Sequence, residues 1–401
     1  MPEIAFGIAV SGTAFLAVAY TQIVRQYRTG WRKLPDWSPR TGAAPSTRIS
    51  VIIPARNEAA KLPACLASLA QQSYPQALWE AIVVDDASED GTFSLAQNFT
   101  EKHATIRVFQ LEEIQRRGMG TERRRGSEPR RRLLTGKKAT IEAGISLATG
   151  QLIVCTDADC LLPPDWLHLL ACFFEEKQAK FIAAPVCFHR EKTVLQRFQS
   201  LDFTGMMGVT GAGFQSKTGL LCNGANLAYP KAVFEEVKGF EGIAGLASGD
   251  DMLLLHKVAK RYPDCVFFLK NKAATVLTEA QPNLRSFVSQ RLRWASKSRS
   301  YEDWRVTFRL AVVFLLCWAL PLNLGLALWL SWPFALLAFF LFLVKTVVDF
   351  RFLRQMSGYF DRPDLMRGYL LSQFLHIGYI IGIGTAANLI KRYEWKGRRW
   401  R

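Results

Sequence analysis

Ile4–Val24 runs for 21 residues without a charged side chain. As a helix it would measure about 31 Å at ~1.5 Å per residue, the thickness of a bilayer's hydrocarbon core. A cleavable signal peptide normally opens with basic residues. Here the chain starts Met1, Pro2, Glu3, and the cations follow at Arg25, Arg28, Arg32, Lys33 and Arg40. That order predicts a retained anchor over 1–25 with the next segment in the cytoplasm. A second block, Leu310–Val344, holds 35 uncharged residues and is broken at Ser331, Trp332 and Pro333. It is too long for one span and predicts a hairpin of two helices over 308–350. Its second arm carries Lys345 and Asp349, whose spacing on one helical face predicts a structural ion pair. A third block, 368–390, is also long enough to span. Crossing there would carry the basic tail 391–401 to the outer side, against the positive-inside preference. Gly378, Gly382 and Gly384 weaken a straight helix, so a spanning and a re-entrant path both stay open.

Lysine and arginine total 51 against 34 acidic residues, a net charge of +17. Such an excess suits polyanionic partners: phosphorylated substrates, an anionic membrane face or nucleic acid. The densest run, 115–138, has ten basic and two acidic residues and no aromatic side chain to stack on bases. It reads as a solvated insertion loop facing anionic lipid, not as a nucleic-acid site. The eight cysteines form no C-x-x-C pair, and the five histidines show no zinc-ligand spacing. Free thiols, with no disulfide framework and no cysteine chemistry, follow.

Between the apolar blocks, from about 48 to 300, short β-rich runs alternate with helical stretches: ISVIIP, EAIVVDD, TIRVFQ and QLIVCTDAD are each followed by a helical pattern. This is the α/β signature of a mostly parallel sheet with helices on both faces, in which ligands bind beyond the carboxyl ends of the strands. Acids occupy those ends. Asp85 and Asp86 close the second run, and Asp157 and Asp159 the fourth. A third pair, Asp250 and Asp251, precedes the amphipathic MLLLHKVAKRY. Any one pair is accounted for by helix capping. Several pairs in so basic a chain concentrate negative charge where the fold places its ligand, and a divalent cation, Mg²⁺ or Mn²⁺, is the natural counterpart, its other positions taking phosphate oxygens. Near the second apolar block, Gln290, Arg293 and Trp294 sit on a helix that starts near Asn283; they read either as an interfacial anchor or as a clamp on a pyrophosphate and a sugar.

The segments PARNEAAKLPACLASLAQQSYP, VVDDASEDGT, GKKATIEAGISLATGQLIVCTDADC, CNGANLAYPKAVFEEVKGF, SGDDMLL and QRLRW, in this order, resemble the membrane-bound family-2 inverting glycosyltransferases. Ceramide glucosyltransferase, cellulose synthase and hyaluronan synthase are of that kind. The resemblance implies a GT-A, Rossmann-like catalytic domain over 48–300 with transmembrane helices at both ends, binding a nucleotide-diphosphate sugar, usually a UDP-sugar. It implies that Pro54, Arg56, Asn57, Glu58, Asp85, Asp86, Lys137 and Asp157 surround that donor. Asp157 and Asp159 match the D-x-D pair that holds the metal. Asp251, with Asp250 beside it in place of the commoner glutamate, matches the general base. Asn223, Gly224, Ala225 and Asn226 match the stretch lining the acceptor pocket, where a plain turn is the alternative. Gln290, Arg293 and Trp294 match the Q-x-x-R-W element near diphosphate and acceptor.

The whole reads as an integral protein of the cell (inner) membrane, its catalytic domain cytoplasmic, transferring a sugar with inversion to a lipid or lipid-linked acceptor. Three or four spanning helices are few for threading a polymer, which disfavours the alternative of a processive polysaccharide synthase. A non-catalytic lipid-binding scaffold is the other alternative, and retention of Asp157, Asp159, Asp251 and Arg293 argues against it.

Overall fold

The computed structural model describes residues 2–123, 135–242, 249–296, 303–389, 393–395 and 398–400. Ala247 and Ser248, much of the 115–138 insertion and part of the 391–401 tail lie outside them. The chain divides into two compact units. One comprises Pro35–His189, Leu220–Glu279 and Lys396–Arg401; the other comprises Met1–Leu34, Arg190–Gly219 and Ala280–Trp395. Thus residues 190–219 and 280–296, inside the span read as one 48–300 domain, pack with the long apolar helices.

In chain order the elements are α1 (Pro2–Lys33), β1 (Ile49–Ala55), α2 (Leu62–Ala70), β2 (Trp79–Asp85), α3 (Thr92–Thr100), β3 (Ile106–Gln110), α4 (Leu111–Arg123), α5 (Lys137–Leu147), β4 (Leu152–Cys155), α6 (Trp166–Lys177), β5 (Phe181–Ala183), β6 (Val186–His189), α7 (Val194–Ser216), β7 (Leu227–Pro230), α8 (Lys231–Glu236), α9 (Met252–Arg261), β8 (Val266–Phe268), β9 (Val276–Glu279), α10 (Leu284–Ser296), α11 (Trp304–Trp329), α12 (Pro333–Tyr359) and α13 (Tyr369–Leu389).

The first unit is built on a sheet of order β3-β2-β1-β4-β7-β5-β8. Strands β3, β2, β1 and β4 are parallel, β7 is antiparallel to both neighbours, and β5 and β8 are again parallel. A second, parallel pair joins β6 to β9. Ile52, Ile53, Val83, Val84 and Val154 are wholly buried, as expected of parallel strands covered on both faces. Helix α5 seats on the sheet at Gly144, where a Cβ would stand 2.8 Å from Ile52 Cγ2. Part of the basic insertion is not a loop: α4 reaches Arg123. Ion pairs Glu112–Arg116 and Glu113–Arg117, four residues apart, support that helix.

Among the described residues of the second unit, four helices are long and apolar enough to cross a membrane: Glu3–Lys33, Trp304–Trp329, Pro333–Tyr359 and Pro363–Ala387. Helices α1 and α12 run parallel with constant offset. Phe6 meets Phe334, Tyr20 meets Asp349, Arg28 meets Gln355 and Trp31 meets Tyr359, separations of 328, 329, 327 and 328 residues. Helix α11 runs the other way, its Arg309 meeting Gln26 and Tyr27. The ion pair expected at Lys345 and Asp349 is present at 2.7 Å and completely buried on the lysine side. Tyr20 Oη donates to Asp349, and Lys345 donates to Gln373 Oε1 at 2.7 Å, so α1, α12 and α13 share one polar knot. A glycine stripe seats α7. Cβ atoms at Gly205, Gly208 and Gly211 would stand 2.9, 2.6 and 2.5 Å from Leu353, Phe352 and Trp31.

Helix α13 departs from the pattern of the others. Its first turns lie beside α12, Tyr369 against Phe350, Gln373 against Lys345 and Phe374 against Phe342. Fifteen residues beyond Tyr369, a Cβ at Gly384 would stand 2.7 Å from the Phe314 ring. Phe314 is five residues beyond Arg309 on α11, opposite α1 residues 21–22, which the offset of 328 places level with α12 residues 349–350. Both ends of this stretch of α13 therefore sit at one height of the bundle, although it is about 22 Å long at ~1.5 Å per residue.

Candidate active site

Two loops at the carboxyl edge of the sheet are laced together. Arg56 Nη1 donates to the carbonyls of Asp86 (2.5 Å) and Ala87 (3.2 Å). Asn57, with φ +51°, donates from its backbone to Ser88 Oγ at 2.9 Å, and its side chain accepts from Glu89 N at 2.9 Å. Glu58 N donates to Thr92 Oγ1 at 2.8 Å. Arg56, Asn57 and Glu58, all singled out in the sequence, thereby fix the loop after β1 to the loop after β2, and Pro54 lies in β1 opposite Val84. Asp85 is turned into its own loop, accepting from Ser88 N at 3.0 Å and from Ser88 Oγ. Asp86 points the other way: its Oδ2 accepts from Gly136 N at 3.0 Å, directly before α5.

Lys137 opens α5. Its Nζ lies 2.6 Å from Asp157 Oδ1 and 3.4 Å from Asp250 Oδ2. Burial alone would lower the lysine pKa, but Asp157 and Asp250 outweigh it and hold the ammonium well above its ordinary value. Gly224 closes the cluster. A Cβ there would stand 2.9 Å from Lys137 Nζ and 3.4 Å from Asp250 Oδ2, and its N–H donates to Asp251 Oδ2 at 3.2 Å. Asp251 Oδ1 accepts from Met252 N at 2.7 Å and caps α9. The capping role and the site role thus coexist in one carboxylate. Lys137, Asp157, Asp250, Gly224 and Asp251 converge within one unit, and Asp86 adjoins them through the backbone of Gly136.

The neighbouring acceptor stretch divides. Asn223 Oδ1 accepts from Ala225 N at 2.9 Å, a turn. Asn226 is fully buried: its amide donates to the carbonyls of Pro185 (2.7 Å) and Ala274 (2.8 Å) and its oxygen accepts from Trp166 Nε1 (2.9 Å). That side chain braces the site floor.

Asp159 faces Lys61 at 3.8 Å, and Lys61 lies 3.3 Å from Glu279 at the end of β9. Burial opposes the Lys61 charge, yet Asp159 and Glu279 raise its pKa. Sequence reasoning passed over both Lys61 and Glu279, although Glu279 shows the same signal as Asp85 and Asp157, an acid at a strand's end. Among the described residues no three His, Cys, Asp or Glu side chains converge as a metal cage. Asp157 and Asp159 nevertheless fit Mg²⁺ or Mn²⁺: they are hard oxygen donors one residue apart, each already facing an ammonium, and Mg²⁺ is ordinarily held by one or two carboxylates plus substrate phosphates. The cysteines nearby are inert. Burial pushes the thiols of Cys65 and Cys155 up to about 12, and all eight cysteines are free.

Gln290, Arg293 and Trp294 belong to the other unit, on α10. There the buried cation is Arg291, not singled out in the sequence. It is 1% exposed at its side chain, pairs with Asp202 at 3.0 Å and lies 4.3 Å from the Trp294 ring centroid. Phe287, Arg291 and Trp294 recur at helical spacing, and Arg291 also faces Phe287 and, on α13, Tyr379. Gln290 Oε1 is buried without a hydrogen-bond partner.

Residues 45–296 match the family model described as glycosyltransferase like family 2. A probable glycosyltransferase, YdaM, of Bacillus subtilis is 24% identical over 278 residues, 68% of this chain and 59% of that protein. Dolichyl-phosphate beta-glucosyltransferase of Drosophila melanogaster is 43% identical over 88 residues, 20% of this chain and 27% of that protein. The chain thus spans 27% to 59% of the length of these curated relatives. In fold it is similar to the mannosyltransferase PcManGT from Pyrobaculum calidifontis, solved with GDP-Man and Mn²⁺: TM-score 0.57, 19% identity, 98% of this chain and 100% of that one. The α/β unit is a GT-A fold.

Proposed function

Because the chain belongs to glycosyltransferase family 2, we propose that it transfers a sugar from a UDP-sugar to a lipid or lipid-linked acceptor at the cytoplasmic membrane face, with inversion and with a divalent metal. The observation that carries this reading is the joining of Lys137, Asp157, Asp250 and Asp251, distant in sequence, into one cluster at the carboxyl edge of the sheet, with Asp86 held beside it on the backbone of Gly136. The dolichyl-phosphate glucosyltransferases among the relatives support a lipid phosphate as acceptor class.

Asp86 and the laced loops around Arg56 and Asn57 hold the nucleoside. Lys137, charged throughout the physiological range, offsets the negative charge that gathers on the departing diphosphate. Asp251, its two oxygens each oriented by one backbone N–H, takes the proton where the attacking acceptor oxygen is a hydroxyl, whereas a lipid phosphate oxygen attacks without one. The acceptor oxygen bonds to the anomeric carbon as the bond to the diphosphate breaks on the opposite face, which inverts the configuration. A divalent cation held by Asp157 and Asp159 would add Lewis-acid neutralisation of the same leaving group.

The membrane reading follows the helix heights. Helices α1, α11 and α12 span, and α13 lies across the bundle because Tyr369 and Gly384 share one level. The arginines near the end of α1, Arg25, Arg28 and Arg32, support a cytoplasmic location for that end of the helix under the positive-inside preference. A C-terminal reporter active only in the cytoplasm tests this; activity of an exported reporter there would refute it.

Membranes containing the protein, incubated with radiolabelled UDP- and GDP-sugars and extracted into organic solvent, test the activity. Label in the organic phase is expected with one donor. Label confined to insoluble polymer, or released only as free sugar, would overturn the proposal.

A further inference from the structure

A cavity of about 410 Å³ opens between α1, α7 and the start of α11, lined by Gln22, Arg25, Gln26, Lys33, Gln215 and Arg309 among others. That size lies within the ~300–1,000 Å³ typical of ligand pockets. Three of its lining side chains are cations and none is a carboxylate. On α1, Gln22, Arg25, Gln26 and Lys33 fall at helical spacing on one face. The pocket is walled by a tight helix crossing: a Cβ at Gly30 would stand 2.9 Å from Ala212 Cβ. Arg309 is held rather than free to swing, 5.2 Å from the Tyr27 ring centroid and 3.4 Å from Gln26 Oε1.

Its height along the bundle matters as much as its charge. Arg25 is the first charge after the uncharged run Ile4–Val24, and Arg309 is the last before the run Leu310–Val344. Both helices change from apolar to charged at this pocket. On the apolar side, Phe15 and Val18 of α1 and Leu310 and Leu315 of α11 are exposed, a surface for acyl chains. Cations just outside a hydrocarbon-facing surface are how membrane proteins hold anionic headgroups. The geometry points to a binding site for the phosphate headgroup of an anionic lipid, with its chains against α1 and α11. Arg25, Lys33 and Arg309 contact the phosphate, and the glutamines supply neutral hydrogen bonds. This site uses none of the residues assigned to sugar transfer.

Purified full-length protein, titrated in detergent with phosphatidylglycerol, phosphatidylcholine and inorganic phosphate, is read by native mass spectrometry. One phosphatidylglycerol is expected to stay bound in preference to phosphatidylcholine. At ~1 kcal/mol per cation, Arg25→Gln with Arg309→Gln should weaken retention roughly thirtyfold and Lys33→Gln, at the exposed end of α1, roughly fivefold. Arg25→Lys with Arg309→Lys should keep most of it, which separates lost charge from lost fold. Equal retention of phosphatidylcholine, unchanged retention after Lys33→Gln, or displacement of the lipid by inorganic phosphate would overturn the assignment, the last giving the pocket to a soluble anion.

Discussion

Lys137→Met isolates the electrostatics of the site. The Lys137 ammonium stands 2.6 Å from Asp157 Oδ1, the carboxylate assigned to the metal, so lysine and metal compete for one oxygen. With a divalent cation on that carboxylate about 4 Å from Nζ, the repulsion is 332 × 2/(80 × 4), about 2 kcal/mol, even at the dielectric constant of water. Asp157 is 35% exposed at its side chain, so this screened figure is the appropriate one and converts to roughly thirtyfold in affinity. Removing the lysine should tighten Mn²⁺ binding by that order in the absence of nucleotide, read from the loss of the free Mn²⁺ paramagnetic resonance signal. Lys137→Arg keeps the charge and should bind Mn²⁺ as the parent does. The same Lys137→Met change should depress sugar transfer, because the diphosphate loses a counter-charge. Unchanged or weaker Mn²⁺ binding in a folded Lys137→Met protein would refute the reasoning.

Asp251→Asn should reduce transfer about 10²–10⁴-fold, the usual worth of a general base, while donor binding by calorimetry stays unchanged, since Asn caps a helix as Asp does. Lys345→Met leaves Asp349 buried without its partner and should lower stability by about 3–5 kcal/mol; adding Asp349→Leu should restore most of the thermal midpoint in detergent. Glu80 is opposed by burial, but Thr149, Ser50 and Arg107 win and hold its pKa below the ordinary value. Its stabilisation is therefore complete above the unfolded glutamate pKa of about 4.3 and drains away as pH falls through the lowered one. The midpoint difference between the parent and Glu80→Gln should be larger at neutral pH than in acid.

Much of this arrangement can be read from residue order. Parallel strands buried on both faces need unbroken apolar runs, and acids directly after such runs have one place to go, which is why Asp86, Asp157 and Asp159 were legible. The Lys345–Asp349 pair was legible because helical spacing alone brings the two together. Lys61 with Glu279, and Arg291 with Asp202, were not: each joins elements far apart in the chain, and no local period announces the partner. Helix α7 carries charges and a row of glycines, which neither hydropathy nor propensity assigns to a membrane-associated unit; only the close seats on Leu353, Phe352 and Trp31 do. The path of α13 was undecidable from composition, because an apolar helix of 21 residues is equally long whether it stands or lies, and the seat of Gly384 on Phe314 joins elements that no local spacing connects. For the insertion, the four-residue Glu–Arg spacing that makes α4 helical was present in the sequence and was outweighed by the basic run that follows it.

The most direct test is crystallographic: crystals grown with UDP and Mn²⁺, with the metal located by its anomalous scattering. The account requires the manganese peak within bonding distance of Asp157 or Asp159, with the diphosphate between it and Lys137 and Asp251 facing the open side. A peak and a nucleotide bound elsewhere on the α/β unit, away from these residues, would contradict it.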